Sequence, residues 1–283
     1  MNKVIACIDG SRSSVSVCDH AAWASRRMDA PLTFLHVIHN PHAEGQGDLS
    51  GNLSLGGREA LLAKMVETEE QRGRLLREQG RAILNDAVER VRGQGVGDPG
   101  SLLRNGTVVE AVSEIQGEAR LVVVGKQGRD GDMHARHVGS HLESLIRTLD
   151  RGVLVCPLEY REPKRFLIAY DGSATAHKVV EKVAESPLLQ GLEAHLLLVG
   201  EDTPDNQSRV ENARNALGQK GFAVQTAIRA GDVVDTVCAY SKEADIHLLA
   251  MGAYGHSRLR RWFVGSTTTQ MIMKAPIPLL VLR

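Results

Sequence analysis

The sequence predicts an α/β protein built from two tandem, doubly wound domains, each a parallel sheet with helices on both faces. The first observation is an internal repeat, because IACIDGS at 5–11 is answered by LIAYDGS at 167–173, and Gly139-Ser140 by Gly265-Ser266. The second is that short apolar runs alternate with helical periodicity, which indicates parallel strands joined by right-handed crossovers. We therefore expect two Rossmann-like domains joined head to tail.

Both copies have the same predicted order of elements. The first strand leads into an amphipathic helix, at about 12–28 and 174–187, and a later helix begins at Thr107 in one copy and at Asp232 in the other. A glycine loop then connects the fourth strand to the last helix. The predicted strands are 3–9, 31–38, 101–105, 120–124 and 152–156 in the first copy, and 165–171, 193–199, 222–229, 245–250 and 278–282 in the second.

The first copy carries an insertion of about 37 residues between its second and third strands, at about 41–78. Its beginning, 42–51, has the composition of a loop. From Arg58 onward the apolar spacing predicts a long helix that is broken near Gly73 or Gly80. The insertion is either an elongated second helix with a flexible lead-in, or a lid or partner surface.

The closing strands of the two copies, 152–156 and 278–282, are apolar throughout. Left unpaired they would expose sheet edges, which proteins avoid. We therefore predict that the copies, divided as 1–160 and 161–283, pack as an intramolecular pseudo-dimer through these strands.

The composition argues against several classes of partner. Lys+Arg 34 balance Asp+Glu 34 in 283 residues, so no overall field attracts nucleic acid or a membrane surface. No apolar run approaches the roughly 20 residues of a membrane span, and the first residues lack the pattern of a signal peptide. The four cysteines have no CxxC spacing, as is typical of free thiols in a reducing compartment. We expect a cytoplasmic protein with no nucleic-acid and no membrane partner.

A glycine loop follows the fourth strand of the second copy. Gly252 and Gly255 allow close approach of a ligand to the backbone, and 265–268, Gly-Ser-Thr-Thr, offers amides and hydroxyls at the start of a helix. Unpartnered helix N–H groups suit phosphate oxygens. The sequence therefore predicts an anion site at this loop.

The spacing GxxG, nine residues, then Gly-Ser resembles the nucleotide loop of the universal stress protein family, in its ATP-binding branch. The resemblance implies a stress-response or regulatory protein that binds ATP or a related adenine nucleotide, with or without Mg²⁺. It also implies that the pocket of the second copy is lined by Asp171, Val199, Gly252, Gly255, Gly265, Ser266 and Thr267.

The first copy departs from this pattern. Ten residues, not nine, separate Gly128 from Gly139. An extra residue displaces amides that must converge on one phosphate, so we expect a degenerate site and one nucleotide per chain, in the second copy. The pocket positions that the first copy still matches are Asp9, Val37, Gly125, Gly128, Gly139 and Ser140.

The polar residues of the site leave alternatives open. Asp171 can accept hydrogen bonds from an adenine amino group or ribose hydroxyls, but an Asp before Gly-Ser is also an ordinary turn residue. The basic residues within 258–261 either neutralise phosphate or are solvated. The histidines His134, His137 and His141 have a roughly helical spacing, yet no second ligand set accompanies them, which favours surface histidines over a metal site.

The sequence offers no recognisable catalytic nucleophile or base, so we assign no catalytic residue and expect at most slow ATP hydrolysis. Two other functions remain open. One is an interaction module that binds an unidentified protein partner without nucleotide, and the other is an ATP-consuming transferase or ligase on a related fold. A homodimer of the tandem chain is a further possible assembly.

Overall fold

The computed structural model describes residues 2–39, 55–128, 140–252 and 266–282. Its strands are β1 (Lys3–Cys7), β2 (Leu32–Ile38), β3 (Gly100–Asn105), β4 (Ala119–Gly125), β5 (Gly152–Cys156), β6 (Arg165–Tyr170), β7 (Glu193–Val199), β8 (Val224–Arg229), β9 (Leu248–Gly252) and β10 (Leu279–Leu282). Its α-helices are α1 (Ser13–Met28), α2 (Leu55–Arg92), α3 (Val108–Ile115), α4 (Ser140–Thr148), α5 (Ala174–Glu185), α6 (Pro204–Gly218), α7 (Val233–Glu243) and α8 (Ser266–Lys274).

The strands form one ten-stranded sheet in the order β3-β2-β1-β4-β5-β10-β9-β6-β7-β8. Neighbouring strands are parallel except for β5 and β10, which pair antiparallel with Leu154 opposite Leu280. Both of these leucines are buried. The order in one half mirrors that in the other, and the closing strands join them, so the predicted pseudo-dimer is confirmed.

Helices cover both faces of the sheet, as the doubly wound prediction requires. In β1, Val4 and Ala6 face a core that includes residues of α1, α2, α5 and α6. Ile5, which lies between them, faces a second core that includes residues of α3, α4, α7 and α8. This alternation follows from the two-residue period of a strand, and it explains why the strands read as continuous apolar runs.

The predicted starts of the later helices are confirmed by their caps. Thr107 Oγ1 accepts a hydrogen bond from the N–H of Glu110, and Asp232 Oδ1 accepts from the N–H of Val234. The fourth strand of the second half was predicted from 245, which is wrong at its start. Asp245 has φ 49° and the N–H of Ile246 bonds to Ser241 O, so these residues complete the end of α7 before β9 begins.

Helix α2 is continuous over 38 residues, so the predicted break near Gly73 or Gly80 is wrong. Gly80 lies where the helix meets the sheet. A Cβ there would come within 2.7 Å of Leu103 Cδ1 and 2.9 Å of His36 Cδ2, so the glycine permits close packing and does not interrupt the helix. The predicted loop at 42–51 lies outside the described residues. Across the described ranges, no helix is both long and apolar enough to cross a membrane.

The C-terminal part of α2 is held to α1 by a bidentate ion pair. Arg90 Nε donates to Asp19 Oδ1 at 2.9 Å and Arg90 Nη2 donates to Asp19 Oδ2 at 2.7 Å. Gln94 Nε2 adds a third hydrogen bond to Asp19 Oδ1 at 3.0 Å. Helix α2, which continues from the insertion, is thereby attached to α1 near its C-terminal end.

Candidate functional site

The sheet has a crevice position in each half, where the connections change direction. In the second half this position lies between β6 and β9. These strands are distant in sequence but are parallel neighbours in the sheet, where Ile168 pairs directly with Ala250. Helix α5 leaves β6 toward one face and α8 follows β9 on the other. In open α/β sheets, ligands bind beyond the carboxyl ends of the strands at such a point.

The second half places its predicted aspartate in a tight turn at the end of β6. Asp171 Oδ1 accepts a hydrogen bond of 2.9 Å from the N–H of Ser173, and Gly172 has φ 70°. Ser173 Oγ in turn caps α5 by accepting from the N–H of Ala176 at 3.1 Å. The turn role expected of an Asp before Gly-Ser is therefore present. A carboxylate has about four acceptor positions, so this turn leaves Asp171 able to bind a ligand as well.

The glycine at the end of β9 has a packing role that the sequence did not indicate. A Cβ on Gly252 would lie 2.7 Å from Thr175 Cγ2 and 3.3 Å from Val179 Cγ2, both on α5. Gly125 repeats this relationship in the first half, where a Cβ would lie 2.6 Å from Ser13 Oγ. Each glycine is thus required for the first helix of its half to pack against the fourth strand, whether or not a ligand is present.

The other residues predicted for the second pocket fall at the same edge of the sheet or outside the described part of the chain. Val199 is the last residue of β7 and is half-buried. Ser266 and Thr267 begin α8, which runs back toward the start of β10, a strand parallel to β9. The N-terminus of α8 therefore lies at the carboxyl edge of the sheet, the edge at which Asp171 also lies. Gly255 and Gly265 lie outside the described residues.

In the first half, the beginning of the glycine loop closes over the aspartate turn. Asp9 Oδ1 accepts from the N–H of Ser11 at 2.9 Å, and a Cβ on Gly128 would lie 3.1 Å from Asp9 Oδ2. Ser13 Oγ donates a hydrogen bond of 2.5 Å to the carbonyl of Gln127. Intramolecular contacts therefore occupy the space beside Asp9.

Two further predicted positions of the first half lie in regular elements. Val37 is half-buried in β2, one residue before its end, and Ser140 begins α4. Gly139 lies outside the described residues.

Lys126, the residue after Gly125, points toward the other half. Its Nζ donates to Met273 O at 2.6 Å and to Ala275 O at 3.1 Å, which caps the C-terminal end of α8. Burial lowers the pKa of Lys126 below its usual value. Lys126 therefore links the first glycine loop to α8, the helix that follows the second glycine loop.

Sequence reasoning missed a cation beside the aspartate turn. A Cβ on Gly172 would lie 2.9 Å from Arg209 Cδ and 3.2 Å from Arg209 Nη1, so this side chain of α6 covers the turn. Arg209 also pairs with Asp205 at 2.7 Å. No local pattern could have shown this contact, because α6 and the turn are distant in sequence. The equivalence of Ser13 and Thr175 was detectable, because both occupy the same position in the repeat.

Several other predicted residues cannot be placed. The basic residues at 258–261 and the histidines His134 and His137 lie outside the described residues, as does the side chain of His141. Within the described ranges, no group of three or more His, Cys, Asp or Glu side chains is arranged to hold a metal ion. All four cysteines are free thiols.

Known proteins with a similar sequence or fold were found over the whole chain. The model of the Universal stress protein family matches residues 1–157 and 204–283. Universal stress protein Slr1230 of Synechocystis is 29% identical over 287 residues, with 100% of both chains covered. The crystal structure of a universal stress protein from Archaeoglobus fulgidus has a TM-score of 0.75 at 18% identity, covering 100% of this chain and 98% of that one.

The sheet order and the crevices define a tandem, doubly wound α/β protein whose two halves pack through their closing strands. The family match covers well over half of the residues. The chain belongs to the universal stress protein family.

Proposed function

We propose that this protein is a stress-response regulator that binds an adenine nucleotide, ATP or a close relative, in the crevice between β6 and β9. The observation that carries the proposal is the meeting of three features at one edge of the sheet: the Asp171 turn, the end of β9 at Gly252 and the N-terminus of α8. The spacing of the second glycine loop supports it, because that spacing resembles the nucleotide loop of the ATP-binding branch.

The residues at this edge suit the two ends of a nucleotide. The Asp171 carboxylate repels phosphate but accepts hydrogen bonds from ribose hydroxyls or the adenine amino group. The amides at the start of α8 suit phosphate oxygens, because they lack partners within the helix and lie at its positive end. Arg209 lies beside the Asp171 turn, and its guanidinium, although paired with Asp205, has further donors for an anionic ligand.

The proposed role is regulation through a conformational change that follows nucleotide binding. No residue is assigned to the activation of water, so we expect any hydrolysis to be slow. Mg²⁺ would enter with the nucleotide phosphates, which commonly supply several of its ligands. A cytoplasmic location is part of the proposal, and the free thiols are consistent with a reducing compartment.

The two halves, 1–160 and 161–283, are proposed to be domains with different roles. In the first, the hydrogen bond from Ser13 to Gln127 and the approach of Gly128 to Asp9 occupy the space beside the aspartate. The extra residue between Gly128 and Gly139 also disturbs the loop. We expect this domain to act as a scaffold or partner surface, with one nucleotide per chain in the second domain.

Calorimetric titration of the full chain with ATP tests the proposal with a matched pair of variants. In Asp171→Asn the amide oxygen can still accept from Ser173 N–H, so the turn is kept while the carboxylate is lost. Because a hydrogen bond to a charged group contributes about 1.5–3 kcal/mol, affinity should fall by roughly tenfold or more. Asp9→Asn makes the same change in the first half and should leave affinity unchanged. Equal losses in both variants, or no binding by the unaltered protein, would contradict the proposal.

A nucleotide-independent interaction module is the second candidate, and the exposed part of α2 favours it. Residues 64–71 of that helix are all exposed. If this function is the true one, ATP should neither bind in the titration nor raise the melting temperature.

A further inference from the structure

The N-terminal part of α2 is largely exposed where its side chains are described. Contact with the sheet begins at Gly80, and Leu84, Ala87 and Val91 are buried beyond it. The preceding residues, 55–79, make up what we call the helix arm, about 37 Å long at 1.5 Å per residue. Within the arm, residues 64–71 are all exposed.

The arm carries an apolar stripe along its exposed surface. Met65, Val66, Gly73 and Leu76 lie on one side of the helix and continue the line of Gly80 and the buried residues after it. Glu69 interrupts this stripe between Met65 and Gly73. Met65 is 42% exposed and Val66 59% exposed. Most helical stability in proteins comes from tertiary packing, which the exposed part of the arm lacks, and Gly73 weakens the helix further. A partner that covers the stripe would stabilise the arm.

The charges beside the stripe are separated along the helix. Glu67 and Glu70 are followed on the same flank by Arg74 and Arg77, at positions i, i+3, i+7 and i+10. Arg77 lies close to the stripe, because its Nη1 would be 3.3 Å from a Cβ on Gly73. Toward the described part of their own chain, these four side chains form no ion pair.

We infer that the helix arm pairs antiparallel with the arm of a second copy of this chain. With a two-fold axis beside Arg72, Glu67 of one copy lies opposite Arg77 of the other, and Glu70 lies opposite Arg74. Two-fold symmetry repeats both pairs, and the apolar stripes face each other with Gly73 near the centre, where its small size allows close approach. In a parallel pair the two copies of this flank would lie on opposite sides of the interface, so these charges would not meet.

The charge balance of the arm favours a second copy over a polyanionic or membrane partner. Residues 64–79 contain four basic and four acidic side chains, so the arm has no net charge with which to attract nucleic acid or an acidic surface. The two signs complement each other when the arm meets its own reversed sequence.

Sedimentation equilibrium of the full chain with charge-reversed variants tests the pairing. Glu67→Lys with Glu70→Lys, and separately Arg74→Glu with Arg77→Glu, place like charges opposite each other and should raise the dimer dissociation constant by about a hundredfold or more. An equimolar mixture of the two double variants should form a heterodimer, because the complementary charges then meet. A monomeric unaltered protein, or a mixture that stays monomeric, would overturn the inference.

A second pair of variants tests the face of the helix. Val66→Asp changes the stripe, whereas Leu75→Asp changes an exposed leucine that lies outside it. Val66→Asp should dissociate the dimer and Leu75→Asp should leave it intact. As monomers at the same concentration, the two variants should have equal helicity by circular dichroism. Dissociation by both to the same extent would overturn the assigned face. Neither experiment depends on nucleotide binding.

Discussion

Lys126 Nζ lies 2.6 Å from the carbonyl oxygen of Met273, so a residue of the first glycine loop caps the last helix of the second half. The N-terminus of that helix, α8, lies at the candidate nucleotide site. A contact that holds α8 at one end therefore connects the first loop with the site at the other end. The two halves are joined by this contact as well as by β5 and β10.

Removal of the Lys126 cap should lower the stability of the whole chain. Lys126→Met keeps the length of the side chain but leaves the carbonyls of Met273 and Ala275 without this donor. We expect a loss of about 1–2 kcal/mol in the free energy of unfolding, measured by urea denaturation. Lys220→Met, at an exposed lysine, is the control and should change stability by less than about 0.5 kcal/mol. Equal effects would show that the cap contributes nothing.

The ion pair between α1 and α2 gives a second stability prediction. The Asp19 side chain is 11% exposed and accepts two hydrogen bonds from Arg90 and one from Gln94. Arg90→Met leaves its carboxylate with the hydrogen bond from Gln94. We expect a cost of about 1–3 kcal/mol, because a largely buried charge loses its partner. Arg92→Met removes an exposed pair with Glu89 and should cost less than about 0.5 kcal/mol. Thermal denaturation of both variants decides whether the pair anchors α2.

His20 should make the protein less stable in mild acid. Burial lowers the pKa of His20 to about 4, and its Nε2 atom has no hydrogen-bond partner in the described structure. The folded state therefore favours the neutral ring. Its contribution to stability is full above about pH 6.5 and is lost as the pH falls toward 4, by up to about 3 kcal/mol.

Urea denaturation at pH 7 and at pH 4.5 measures this effect. His20→Gln removes the titrating ring, so the variant should lose less stability than the unaltered protein between these two pH values. His39→Gln, at an exposed histidine, should retain the full pH dependence. The same pH dependence in all three proteins would show that His20 does not contribute.

Gly252 should not tolerate a methyl group. Gly252→Ala brings a Cβ within 2.7 Å of Thr175 Cγ2, and the resulting overpacking should cost about 1–3 kcal/mol. Thr175→Ser removes the Cγ2 atom and should recover part of this loss in the double variant. Gly218→Ala, in α6 with open space around it, should instead stabilise the protein by about 0.5–1 kcal/mol. A double variant no more stable than Gly252→Ala would contradict the packing argument.

The repeat and the apolar periodicity predicted the strands, the doubly wound layers and the pairing of the closing strands, because these depend on patterns that run along the chain. The helix starts at Thr107 and Asp232 were also predicted from the sequence, because a helix cap acts on residues close to it in the chain. Gly80 was misinterpreted as a helix break, because a glycine required by a neighbouring side chain looks the same in sequence as one that ends a helix.

The candidate site was predicted less completely than the fold. The aspartate turn and the end of β9 follow local patterns and lie where the repeat predicted them. Lys126 and Arg209 were missed in their observed roles, because each acts on a segment far away in sequence. Such contacts depend on how the helices are placed on the sheet, which no local pattern records.

Native mass spectrometry of the full chain with saturating ATP tests the central claim most directly, because it counts bound nucleotide. We predict one nucleotide per chain in the unaltered protein. We predict none in Gly255→Glu, because the introduced carboxylate would repel the phosphates of the nucleotide. Gly97→Glu, at a glycine with open space around it, should still bind one. No bound nucleotide in the unaltered protein, or one retained in Gly255→Glu, would contradict nucleotide binding at the second loop, and two per chain would contradict the single site.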